Sequence, residues 1–268
     1  MVKAPEMAKL SALMAEVAIA AGKIAMDYFE HGRKTTADVS YKEGGSPVSE
    51  ADLAVDRYLK EQLTRLAPQA GWLSEESTDD PSRLTRQHVL VVDPIDGTRA
   101  FIDGDRRWGI AIALVEAGRP VASTLFMPAL EELFVAAAGH GATRNGVQLH
   151  VPDRPSLQGA TIGGPKKALE AMEKRGMGTV SEPRVPSLAY RLARVASGEV
   201  DAALASTNAW DWDIAASDLI VLESGGLLTG LDGEQPRYNL PRPRHGVLAA
   251  AGPRLHEPLI AAVRAIMP

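Results

Sequence analysis

At 268 residues with 45% hydrophobic content, the chain can bury a sizeable core, as one large domain or two closely packed halves. The formal net charge is -5 and the Lys and Arg residues are scattered, which gives nucleic acid no electrostatic footprint. The absence of cysteine excludes disulfides, thiolate zinc sites and cysteine nucleophiles, so the chemistry falls to oxygen and nitrogen groups, and a reducing cytoplasm is the expected setting.

The first apolar segment has Leu10, Leu13, Met14, Val17, Ala21, Ile24 and Tyr28 at helical spacing, which predicts a core-facing helix. Glu16 and Lys23 interrupt it, so it reads as neither a signal peptide nor a membrane span. Gly44, Gly45 and Pro47 then mark a mobile loop or hairpin. Ser49 and Asp52 form a capping-box-like pair that opens a second helix, with Leu53, Val55, Tyr58, Leu59 and Leu63 on its apolar face.

GWLSEES predicts a short strand running out into Glu75 and Glu76, and HVLVVDPIDGTRAF, residues 88–101, a strand ending at Asp93 in a Pro-containing turn. The two apolar runs either side of Glu116 to Arg119 read as a β-hairpin, and residues 132–146 add a further strand and a Gly-rich turn. Consecutive hairpins of this kind predict an antiparallel or mixed sheet with helices on one side. Beyond residue 150 the pattern alternates. Strands are expected at 158–162, 200–205, 227–230 and 246–251, and helices at 165–175, 187–197, 211–224 and 255–266. The expected organisation is an N-terminal α+β half, 1–150, carrying most of the acidic motifs, and a C-terminal α/β half, 151–268.

Four acidic segments stand out: SPVSEAD at 46–52, SEES at 74–77, DPIDGT at 93–98 and WDWDIAA at 210–216. Each alone matches a solvated turn or helix cap. Together they place carboxylates at strand ends and helix starts, where sites collect in α/β folds. Oxygen donors without cysteine or clustered histidine suit magnesium better than zinc, and the six histidines show no HExxH-like spacing. Gly97 lets backbone N–H groups approach a phosphate. Asp211 and Asp213 superficially match the D-x-D of aspartyl-nucleophile phosphatases, but Ile214 and Ala215 lead into a helical pattern, which favours Asp213 as a metal ligand. Trp210 and Trp212 read as core packing, and Lys166 and Lys167 as a solvated helix start or a contact to a second phosphate.

DPIDGT, SEES and WDWDIAA, with SPVSEAD, the 112–128 hairpin, GHGATRNG and ESGGLLTGLDG in the same order, resemble the inositol monophosphatase family of lithium-sensitive, magnesium-dependent phosphomonoesterases. The resemblance implies a layered αβαβα sandwich of the inositol monophosphatase and fructose-1,6-bisphosphatase type, commonly a homodimer. It also implies two or three Mg2+ per site, held by Glu75, Asp93, the Ile95 carbonyl, Asp96 and Asp213. Asp52, Glu76, Thr98 and Lys42 become the catalytic set, with Glu76 paired to the Thr98 hydroxyl as general base. Asp96, Gly97, Thr98, Ser187 and Asp213 become the substrate contacts.

The expected reaction is hydrolysis of inositol-1-phosphate by an activated water. A 3'(2'),5'-bisphosphate is the alternative, followed by histidinol phosphate or fructose-1,6-bisphosphate, with a non-enzymatic binding role last. Inositol-specific members carry a glutamate where this chain has Ser206. Pro186-Ser187-Leu188 also departs from their Gly-Ser-Ala form, and Arg99 is either a surface residue or faces a second phosphate.

Overall fold

The structure is a computed structural model that describes residues 4–266. Helix α1 (Ala4–Met26) is followed by a hairpin of β1 (Val39–Tyr41) and β2 (Pro47–Ser49), and then by helix α2 (Glu50–Leu66). The buried stripe of α1 is Met7, Ser11, Met14, Ala18, Ala21 and Ala25, while Leu10, Leu13, Val17 and Ile24 stay half-buried at its flanks. Small residues face inward because α1 lies close against the sheet. At Gly22 a Cβ would stand 2.6 Å from the Phe126 ring, which permits no larger residue without a shift. Helix α2 buries Val55, Leu59 and Leu63 as expected, whereas Leu53 faces solvent.

Strands β3 (Gly71–Ser74) and β4 (His88–Asp96) pair in parallel. After the short helix α3 (Thr98–Ile102), β5 (Gly109–Glu116), β6 (Arg119–Met127), β7 (Glu132–Ala137), β8 (Ala142–Arg144) and β9 (Val147–Gln148) continue as antiparallel neighbours, giving a seven-stranded sheet in chain order. The β5–β6 turn has positive φ at Ala117 (51°) and Gly118 (78°), the backbone a tight hairpin requires. Strand β4 does not stop at Asp93. It runs on through Asp96 with a register shift against β5 between these residues. Such a bulge re-aims side chains at the end of a strand.

The second half forms β10 (Thr161–Gly163), α4 (Lys166–Lys174), β11 (Val180–Ser181), α5 (Leu188–Ala196), β12 (Ala202–Ala205), β13 (Ala209–Trp210), α6 (Asp211–Glu223), β14 (Leu227–Gly230), β15 (Arg244–His245), β16 (Leu248–Ala251) and α7 (Pro253–Ile266). A five-stranded sheet runs β11-β10-β12-β16-β14, parallel over its first three strands and antiparallel at β16, so it is mixed rather than purely βαβ-built.

Helices cover both faces of the seven-stranded sheet, not one. Helices α1 and α2 pack on one face, while α5 and α6 pack on the other and are sandwiched against the second sheet. Helix α6 is apolar on nearly every side, as a middle-layer helix must be. Helices α4 and α7 close the far face. The layers are therefore αβαβα. Among the described residues, no helix is long and apolar enough to cross a membrane.

Candidate active site

The bulged end of β4 delivers Asp93 and Asp96, both buried, to the rim facing the start of α6. There Asp213 joins them, and one carboxylate oxygen from each lies within 4.8 Å of the others. Each has a local reason to point as it does. Asp93 Oδ1 accepts the Ile95 N–H at 3.1 Å, and Asp213 Oδ2 accepts the Trp210 N–H at 2.7 Å, reaching back over the first turn of α6. Asp96 lies at the N-terminus of α5, where it accepts from the Ser187 hydroxyl and from the Leu188 and Ala189 N–H groups.

Glu75 and Glu76 follow β3, and the hairpin lysine Lys42 bridges them, its Nζ 2.9 Å from Glu75 Oε1 and 2.8 Å from Glu76 Oε1. Asp52, 1% exposed, is at once cap and site residue. Its Oδ2 accepts from the Ser49 N–H and hydroxyl, while its Oδ1 lies 3.1 Å from Thr98 Oγ1. Thr98 is also 3.1 Å from the Ile95 carbonyl. The hydroxyl therefore has two acceptors for one proton, and the carbonyl keeps a lone pair free. The expected Glu76–Thr98 pair is not formed: Thr98 turns to Asp52 and Glu76 to Lys42.

The electrostatics follow from crowding. Burial first, then Glu75, Asp96 and Asp213, push Asp93 well above the usual carboxylate range. Burial and then Asp96 do the same to Asp213. Asp96 rises to about 6 by burial, against the pull of its Ser187, Ala189 and Leu188 hydrogen bonds. Asp52 rises to about 6 and Glu76 to about 7, burial leading in both. Burial also depresses Lys42, but Glu75 and Glu76 outweigh it and raise its pKa. An all-oxygen donor set with too much negative charge for its environment fits a hard divalent cation.

Glu75, Asp93, Asp96, Gly97, Thr98 and Asp213 line a cleft of about 170 Å³. Gly97 has φ 92°, and a Cβ there would meet the Arg107 carbonyl and the Ser187 N–H group at 3.3 Å, so glycine makes the close approach possible. Ser187, expected at the substrate, is fully buried, with its hydroxyl spent on Asp96 and on the Tyr190 N–H, so it positions Asp96 instead. Ser206 and Asn208 are exposed, and Lys166 and Lys167 start an outer-layer helix.

Asp211 is sealed, accepting from the Asn239 N–H and paired with His245, which leaves it unfit as a nucleophile. Trp212 belongs to the core, but Trp210 is half-buried, stacked on Trp212 and covered by the Arg244 guanidinium.

Sequence reasoning missed Asp56, whose carboxylate takes the Ser74 and Ser77 hydroxyls at 2.5 and 2.7 Å and so clamps the segment carrying Glu75 and Glu76. Its i+4 spacing from Asp52 was the available signal.

The profile described as "Inositol monophosphatase family" matches residues 6–267. An inositol-1-monophosphatase of Mesorhizobium japonicum is 32% identical, over 94% of this chain and 95% of that one. A histidinol-phosphatase of Mycobacterium tuberculosis is 33% identical over 82% and 85%, and a 3'(2'),5'-bisphosphate nucleotidase CysQ of Aggregatibacter actinomycetemcomitans 29% over 81% and 85%. Among solved structures, the extragenic suppressor protein suhB of Bartonella henselae superposes with a TM-score of 0.80 at 28% identity, over 94% of this chain and 97% of that one. Fold and sequence together define a metal-dependent phosphatase, a hydrolase of phosphoric monoesters. The chain belongs to the inositol monophosphatase family.

Proposed function

We propose that the chain hydrolyses a small phosphomonoester with Mg2+, inositol-1-phosphate being the first substrate to consider. The observation that carries this reading is the meeting of the Asp93, Asp96 and Asp213 carboxylates within 4.8 Å beside the Gly97 turn. Glu75, Asp93, the Ile95 carbonyl, Asp96 and Asp213 would hold two or three ions. When bound, Mg2+ neutralises the phosphoryl oxygens and makes water a better nucleophile near neutral pH.

The chain's own groups do the rest. The Gly97 turn presents the Gly97 and Thr98 N–H groups to the substrate phosphate. The Thr98 hydroxyl, fixed by Asp52 and the Ile95 carbonyl, orients the attacking water with its free lone pair. Glu76 receives the water's proton at Oε2, since Lys42 holds Oε1. Its pKa of about 7 suits a general base near neutral pH. No covalent intermediate is required.

A second reading, a 3'(2'),5'-bisphosphate nucleotidase, is favoured by the exposed Ser206, whose short side chain replaces the glutamate of inositol-specific members. Homodimer assembly, cytoplasmic location and inhibition by lithium belong to the same proposal. Phosphate release from inositol-1-phosphate, adenosine 3',5'-bisphosphate, fructose-1,6-bisphosphate and histidinol phosphate, with and without Mg2+, is the test. Silence toward all four with Mg2+ present would instead support a binding role.

A further inference from the structure

Glu75 and Asp213 reach the acidic cluster from different elements, Glu75 just beyond β3 and Asp213 in the first turn of α6. Their charges repel. Beside them a cavity of about 810 Å³ opens, lined by Glu75 and Asp79 from the first segment and by Trp210 and Trp212 from the second. Direct packing across that gap does not fix their spacing.

Arg83 bridges the two segments. It is 1% exposed and lies in a short 3-10 helix (Pro81–Thr85) that follows the Glu75 segment. Its Nε and Nη2 donate to the two oxygens of Asp79 at 2.6 and 2.9 Å, which closes the chain after Glu76 into a tight loop. At Gly71 a Cβ would stand 2.8 Å from Arg83 Cβ and 2.9 Å from its Cα, so Arg83 also presses on the first residue of β3. In the other direction Nη1 donates to Asn239 Oδ1 at 2.6 Å, and Nη1 and Nη2 both reach the Leu240 carbonyl at 3.2 Å. Asn239 Nδ2 returns a bond to the Arg83 carbonyl, and the Asn239 N–H donates to Asp211 Oδ2 at 2.7 Å. Asp211 is fully buried and opens α6 two residues before Asp213, while its other oxygen accepts from His245 Nε2 at 2.7 Å.

The proposed reaction uses none of Asp79, Arg83, Asn239 and Asp211, yet together they form a continuous hydrogen-bonded path from the Glu75 segment to the start of α6. The planar fork of a guanidinium can hold a carboxylate and two further acceptors at fixed angles, which an ammonium group cannot. We infer that Arg83 is a positioning residue for the cation site: through Asp79 on one side, and through Asn239 and Asp211 on the other, it holds Glu75 and Asp213 at the separation a divalent cation needs. This rests on the cation-dependent reading of the acidic cluster and names what sets its geometry before an ion binds.

The test is calorimetric titration of Mg2+ into the metal-free full-length chain, alongside the Mg2+ dependence of phosphate release from whichever of the four esters above the parent cleaves. Arg83→Gln should raise both the Mg2+ Kd and the Mg2+ concentration for half-maximal release by about 10–100-fold, the usual cost of losing a group that orients ligands. At saturating Mg2+ the KM for the ester stays close to the parent's, because Arg83 does not touch the substrate. Arg83→Lys keeps the charge without the fork and recovers part of the loss. Asn239→Gly is the gentler variant: at φ 58° glycine is unstrained, the N–H to Asp211 stays, and only the side-chain link to Arg83 is lost. It should raise the Kd by a smaller factor and add little to Arg83→Gln, as members of one network do. Leu259→Ala, in the core beneath α7, controls for stability alone and should melt lower with a parental Kd. A parental Kd in both Arg83→Gln and Asn239→Gly, or in Asn239→Gly alone if Arg83→Gln does not fold, overturns the positioning role and leaves the proposed reaction intact. A Kd raised equally by Leu259→Ala overturns it too. Mg2+ binding without phosphate release by the parent overturns the reaction alone, and no Mg2+ binding by the parent overturns both.

Discussion

The Ser187 hydroxyl donates to Oδ2 of Asp96 across 91 residues of sequence, joining the N-terminus of α5 to the end of β4. The Leu188 and Ala189 N–H groups bind the same carboxylate, so a proposed metal ligand also serves as the anion at a helix start. Substituting Ser187→Ala removes both the α5 cap and a hydrogen bond to a charged acceptor. Losses of this kind sum to about 2–4 kcal/mol of stability. The expected outcome is a lower urea midpoint together with a higher Mg2+ requirement for phosphate release. An unchanged midpoint would show that Asp96 holds its place without Ser187.

Asp213 predicts the opposite coupling of function and stability. It is half-buried beside Asp96 and Glu75, and without a cation these charges repel. Asp213→Asn keeps an acceptor for the Trp210 N–H and removes one charge. The metal-free variant should therefore melt a few degrees above the metal-free parent, since about 1 kcal/mol moves the midpoint of a chain this size by roughly 2–4 °C. Phosphatase activity should fall at least about hundredfold, more than is typical for residues that merely orient ligands. A melting point below the parent's would mean that Asp213 is needed for packing rather than tolerated for function.

Much of the site was legible because its carboxylates sit where the chain changes element. Asp93 and Asp96 end an apolar strand, Asp213 opens a helix, and Glu75 and Glu76 follow a four-residue strand. The capping box at Ser49 and Asp52 was readable for the same reason. What stayed hidden depends on long-range pairing. Nothing in the local sequence ties Thr98 to Asp52 rather than Glu76, or turns Ser187 toward Asp96 instead of a substrate. The inward stripe of α1 was misread because close packing at Gly22 and Phe126 favours alanines, while periodicity gives more weight to leucines. The second helical cover of the seven-stranded sheet comes from α5 and α6, a hundred or so residues away in sequence, beyond the reach of any local pattern.

Lys42 and Glu76 supply a pH-profile prediction. The Lys42 hydrogen bond holds the Glu76 pKa down against burial, which still leaves it at about 7. If Glu76 is the general base, only its ionised form works, and the acidic limb of kcat/KM follows its pKa. Lys42→Gln removes the cation, so the Glu76 pKa rises and the limb moves to higher pH. Glu76→Gln should lower kcat by about 10²–10⁴-fold, the usual contribution of a positioned base. Near-parental kcat in Glu76→Gln at every pH would exclude the role, and an unmoved limb in Lys42→Gln would mean that another group sets the profile.

Metal addition should stabilise the protein more as pH rises. Ordinary carboxylates ionise near 4. In the folded chain Asp52 and Asp96 ionise near 6 and Glu76 near 7, with Asp93 and Asp213 also raised. Between about pH 4 and 7 the metal-free folded state therefore holds more protons than the unfolded chain, and these groups make it less stable as pH rises through that window. A cation binds the ionised carboxylates, so its uptake expels protons and its affinity climbs over the same range. The increase in melting temperature produced by a fixed Mg2+ concentration should be small at ~pH 5 and several degrees larger at ~pH 8. Proton release on titrating Mg2+ into weakly buffered protein should be measurable near pH 6, where the raised carboxylates still hold protons, and shrink as they ionise at higher pH. A melting shift independent of pH would place the bound ion away from Asp93, Asp96 and Asp213.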